Sequence, residues 1–263
     1  MKKILLPWSI LKPMFLHSLN TFEGLLGKGE LRKLLLILAG LILFWHIYTP
    51  IHELLHVAAC FLGGGTVEEL ALKPQYGGTL LARIFPFVVP ESDYAGQLTG
   101  FQVPNDGVYA LVDFAPYLLS LFGLALIECC RRRGLGFLFG LAVILTYIPL
   151  MSIPGDYYEA ASLVTTRIAE KSDDQRPKGF LVSDDVFRSI GDFKESGRLD
   201  AEVGFLIGLG LFLAIYLALV TLAIQVRIAG WIFKGPIFPD PNPAPPAQAG
   251  PSSPTTTTPD LPD

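Results

Sequence analysis

The sequence predicts an all-α membrane protein with about four transmembrane helices, a small β-hairpin after the first of them and a disordered C-terminal tail. Three observations carry that expectation. Hydrophobic residues make up 51% of the 263 residues and charged residues only 17%, a balance more apolar than water-soluble domains usually carry. Four apolar runs, at 34–51, 107–127, 134–153 and 204–225, each approach the roughly 20 residues a helix needs to cross about 30 Å of hydrocarbon. Finally, the first run continues toward Leu62 through His52-Glu53-Leu54-Leu55-His56, where ionisable groups in an apolar segment mark function.

Taken along the chain, residues 1–33 form an N-terminal segment. Residues 1–27 are apolar in patches but broken by Pro7, Lys12 and Pro13, which suits a helix lying on the membrane surface better than a signal peptide or a span. Residues 34–226 form one polytopic domain. After its first span, two extended-looking runs at 66–73 and 79–85 flank the turn cluster Pro74-Gln75-Tyr76-Gly77-Gly78, which reads as the hairpin. A charged insert at about 160–202, of mixed sign and with helices expected near 160–171 and 183–196, reads as a solvated cap. Residues 227–263 are rich in Pro and Thr and too poor in apolar groups to offset the entropy of ordering, which predicts a disordered tail.

Charge sets the expected orientation. Lys2, Lys3, Lys12, Lys28, Arg32 and Lys33 precede the first span, Arg131 to Arg133 fill the link between the second and third, and Arg227 and Lys234 follow the fourth. Basic residues collect on the cytoplasmic side, so the sequence predicts a multi-pass protein of the cell membrane with both termini cytoplasmic and residues 63–106 and 154–202 outside. The formal net charge of −4 and the lack of a basic stripe argue against nucleic acid as a partner. Cys60, Cys129 and Cys130 offer no disulfide framework. Cys60 shares the helical face of His52 but reads as a small buried hydrophobe.

His52 and His56 stand four residues apart, on one face of a helix, where both imidazoles can reach one zinc ion while Glu53 stands beside it as general base. Two imidazoles are an incomplete set, because catalytic zinc takes three protein ligands and leaves a position for water. The best third ligand is Asp156 in Ile153-Pro154-Gly155-Asp156-Tyr157-Tyr158-Glu159, since the first and third spans both run outward and end on the same side. Glu159, one turn further on, is the alternative, and Asp156 also has a reading as a helix N-cap. His46 falls roughly 240° from His52 around the helix and so off the metal face. Asp113 reads equally as a site-facing acid or a polar contact between helices. Tyr157 and Tyr158 read as interface anchors rather than oxyanion donors.

The motif within a membrane span, followed by Val57-Ala58-Ala59, Gly63-Gly64-Gly65 and an Asp at a later span, resembles the intramembrane zinc metalloproteases of the site-2 protease family. The resemblance covers about residues 34–159. It implies that His52, His56 and Asp156 bind Zn2+, that Glu53 activates water, and that the protein cleaves peptide bonds in or next to transmembrane segments of membrane-protein substrates, which the hairpin holds by strand addition. Here Gly155 precedes the Asp that the family usually follows with Gly, which keeps Glu159 open as a ligand. A membrane zinc-binding or transport protein, or a catalytically degenerate scaffold, is the alternative reading. Glu53 argues against it, because a pure binding site needs no carboxylate beside its ligands.

Overall fold

The computed structural model describes residues 7–27, 30–172 and 179–232. Helix α1 (Pro7–Leu26) opens the chain, and the long rod α2 (Leu31–Leu62) follows. Pro50 lies inside α2, two residues before His52, and has no N–H to bond back one turn. Next come strand β1 (Thr66–Leu72), the short helix α3 (Gly78–Leu81) and strands β2 (Val88–Val89) and β3 (Gly96–Gln102). Helix α4 (Asp106–Phe114) passes through a 3-10 turn at Ala115–Leu118, with Pro116 in its first positions, into α5 (Leu119–Arg133). Helices α6 (Gly136–Met151), α7 (Asp156–Ser172), α8 (Val186–Glu195) and α9 (Ala201–Ile232) complete the described chain.

Four stretches are long and apolar enough to cross a membrane: Leu31–Leu62, Asp106–Arg133, Gly136–Lys171 and Ala201–Ile232. Three contain a run read from sequence whole, and Gly136–Lys171 covers the run at 134–153 except its first two residues. Helix α1 is not among them; it buries Leu11 and Met14 against Leu124 of α5 and Leu222 of α9, so it is packed onto the bundle. The insert divides in two. Residues 160–172 belong to α7, which restarts after the break at 152–155 and lies along α9, where Tyr158, Ala161 and Ala169 share a core with Val203, Ile207 and Ala214. Helix α8 buries Val186 and Phe193 in the same core. Residues 227–232, expected in the tail, prolong α9. The rest of the expected disordered tail lies outside the described residues.

The hairpin expectation needs correction. The partner of β1 is not 79–85 but β3, paired antiparallel from Thr66↔Gln102 to Leu72↔Gly96, while β2 adds in parallel on the other side to give the order β2-β1-β3. Residues 79–85 instead wind helically, with the Phe85 amide bonded to the Leu81 carbonyl. Their apolar groups Leu81, Ala82 and Phe85 recur at helical spacing and pack on Leu70, Leu72 and Val88.

Close backbone contact fixes α2 against α6. A Cβ added at Gly40 would lie 2.1 Å from the Phe137 carbonyl oxygen, and one at Gly140 would lie 2.4 Å from the Leu41 nitrogen. Only glycine at both positions lets the two helices approach so closely, which is how apolar helices associate where lipid removes the hydrophobic drive.

Candidate metal centre

The last turns of α2 bury His52, Glu53 and His56, each below 10% exposed. Asp156, the first residue of α7, meets them where the chain breaks at Pro154-Gly155 after α6 and a new helix begins. His52 Nε2 lies 3.0 Å from His56 Nε2 and 3.1 Å from Asp156 Oδ2, and His56 Nε2 lies 3.6 Å from the same oxygen. Among the described residues this is the one group of three or more His, Cys, Asp or Glu side chains placed to hold a metal ion.

The donor set fits such an ion. Bonds of about 2.0–2.2 Å in tetrahedral array put ligand atoms about 3.3–3.5 Å apart, and the three observed separations bracket that value. The far ring nitrogens are occupied as a metal site requires. His56 Nδ1 donates to the Val112 carbonyl oxygen at 2.8 Å, which in the neutral ring leaves the Nε2 lone pair turned toward its partners. His52 Nδ1 is hydrogen-bonded to the Tyr48 hydroxyl, one turn earlier on α2.

The carboxylate is held with equal care. Tyr117, turned into the site by the Pro116 break, donates to Asp156 Oδ2 at 2.6 Å. Its ring stacks on Tyr157 at 4.5 Å, and its carbonyl oxygen accepts from Gln225 Nε2 of α9 at 2.5 Å. Glu53 coordinates with none of this set and instead lies against β3, where a Cβ on Gly96 would fall 2.6 Å from its Cγ. Glycine at 96 therefore makes room for the acid.

Glu53, His56 and Asp156 open onto a cavity of about 310 Å³ whose walls include Gly96, Gln97 and Leu98 of β3 and Asp184, Asp185 and Phe187 at the start of α8. The insert thus closes over the site. Gln97 Nε2 donates to Asp184, and the Tyr94 hydroxyl donates to Asp185 Oδ2 at 2.5 Å, a bond that pushes the phenol up to about 12.

The remaining candidates fall elsewhere. Glu159 lines the cavity but accepts a hydrogen bond from the Tyr109 hydroxyl instead of joining the triad. His46 donates to the Ile42 carbonyl oxygen and lies beside Tyr76. Cys60 is fully buried near the Thr66 and Gln102 carbonyls. Tyr157 and Tyr158 are packed in the core. Asp113 forms part of the cavity wall, which decides between its two readings. Sequence reasoning missed Tyr48, Tyr117, Gly96 and the Asp184–Asp185 pair. Only Tyr48 carried a signal, its spacing of four before His52.

Comparison of the chain with protein-family models, curated proteins and solved structures returned no match.

Proposed function

We propose that the protein is a membrane-embedded zinc-dependent endopeptidase that cuts membrane-protein substrates in or next to a transmembrane segment. One observation carries the reading: beside a His–His–Asp triad suited to zinc stands a buried carboxylate, Glu53, that is not part of the triad and faces the same cavity. The resemblance of the motif to site-2 proteases supports it. Bound zinc would supply a Lewis acid that makes water a nucleophile at neutral pH.

The chain's own groups account for the remaining steps. Glu53 takes a proton from the attacking water and returns it to the leaving amine. Tyr48, Tyr117 and the Val112 carbonyl fix the three ligands in orientation. Strand β3, at the edge of the sheet and in the cavity wall, offers its backbone to an extended segment. Such a segment must be unwound, since a lipid-embedded helix hides its amides in internal hydrogen bonds. The protein sits in the cell membrane with both termini cytoplasmic, an orientation that cysteine labelling from either side tests.

The central experiment assays zinc content and cleavage of a panel of single-span substrates. Glu53→Gln should retain zinc and lose about 10²–10⁴-fold in rate. Cleavage at the wild-type rate by that variant would remove the mechanism.

A further inference from the structure

We infer that the cavity contains a second recognition point, in which Asp113 and Glu159 bind the ammonium or guanidinium of a Lys or Arg side chain on the segment being cut. This rests on the peptidase reading for its biological role. The observations behind it are separate from the metal triad. Six acids line the cavity, Glu53, Asp113, Asp156, Glu159, Asp184 and Asp185, and among the described residues no Lys or Arg lines it. Four of them have other work. Asp156 belongs to the metal triad and Glu53 is the proposed base beside it, Asp184 pairs with Arg188 at 2.5 Å, and Asp185 caps α8 through the Arg188 amide at 2.8 Å.

Asp113 and Glu159 remain. Asp113 is 3% exposed and its Oδ2 has no hydrogen-bond partner among the described residues. Its strongest charged neighbours are Glu159 and Asp156, both of its own sign. Among the described residues no cation stands against that carboxyl group, and a buried charge ordinarily requires one. Glu159 keeps acceptor capacity beyond the one bond from Tyr109, which lies one helical turn before Asp113 on α4. A second metal does not suit the pair, because no triple of donors other than His52, His56 and Asp156 comes together among the described residues. A primary ammonium or a guanidinium needs only these two acceptors.

The test uses the purified, zinc-loaded full chain and single-span substrates in which residues flanking the cut are replaced one at a time by Lys or by Met, which has similar length without the charge. At one flanking position Lys should be favoured over Met by about 10–100-fold in kcat/KM, the worth of hydrogen bonds to a charged group. Asp113→Asn and Glu159→Gln should each abolish that preference while zinc content stays at the wild-type level. No preference at any position, or a preference untouched by both variants, overturns the proposal. Binding is read separately by titrating butylguanidinium and following thermal unfolding. Wild type should show a saturable rise in Tm that Glu159→Gln loses, and a wild type with no saturable rise also overturns it. If no substrate in the panel is cut but the rise is present, the peptidase reading fails and the cation site stands.

Discussion

The two halves of α2 are built by opposite rules. From Leu31 to Leu43 the helix turns Leu31, Leu35, Leu36, Leu38, Ile42 and Leu43 outward and buries little besides Ile37 and Gly40. It is held there by the close backbone approach of α6. From Tyr48 to Cys60 the same rod buries Thr49, His52, Glu53 and His56, and the ring nitrogens and acids are met by groups from α4, β3, the 3-10 turn and α7. Shape fixes the first half and directed polar contacts fix the second. An apolar swap in the first half is tolerated unless it adds volume at the glycines, whereas in the second half even an isosteric loss of one hydroxyl should be felt.

Four substitutions and one titration can break or sharpen that contrast. Asp156→Ala removes the proposed third ligand and should weaken zinc binding by more than the about 10–100-fold typical of a residue that only orients a ligand. Metal analysis checks this, and undiminished zinc would move the third ligand to Glu159. Gly96→Ala pushes on Glu53 from β3. It should keep zinc and lower cleavage by up to roughly 10²-fold, as a misplacement of about 1 Å does, and equal rates would show that Glu53 has room to yield. Tyr48→Phe should cost about 10–100-fold in zinc affinity, at the lower end because His52 keeps its place in the helix. Gly140→Leu, on α6 against the shape-fixed half of α2, should lower stability by about 1–3 kcal/mol or more in a denaturant titration, yet the folded fraction should bind zinc normally. Loss of zinc instead would couple the halves.

The smallest effect concerns His17 on α1, the helix outside the four apolar spans. Burial lowers its pKa below 6.5, against the opposing pull of Glu128, whose Oε2 lies 3.0 Å from its Nε2. A histidine with a depressed folded pKa binds fewer protons than in the unfolded chain, so its contribution to stability is present above pH 6.5 and declines as pH falls below it. An imidazole NMR titration with a midpoint at or above 6.5 would contradict this.

What could be read from the sequence was local. His52, Glu53 and His56 are fixed relative to one another by a single helical repeat, and the four spans by apolar length alone. Asp156 was legible across more than a hundred residues because an acid after Ile153-Pro154-Gly155 breaks an otherwise apolar run. Tyr117 and Gly96 were not, because their roles depend on which elements meet: Tyr117 is an ordinary aromatic until Pro116 turns it, and Gly96 is an ordinary glycine until Glu53 lies against it. Strand β3, Gly-Gln-Leu-Thr-Gly-Phe-Gln, has two glycines and little β-branched content, so it gave a weak strand signal. Residues 79–85 offered a stronger one and fold otherwise, because the edge they would have filled belongs to β3.

The length of α2 has a consequence for supply. Its 32 residues make a rod of about 48 Å, and His52 stands about 27 Å beyond Leu34, close to the far limit of a hydrocarbon layer about 30 Å thick. Reagents drawn from the aqueous phase on that side thus have a short path inward to the triad.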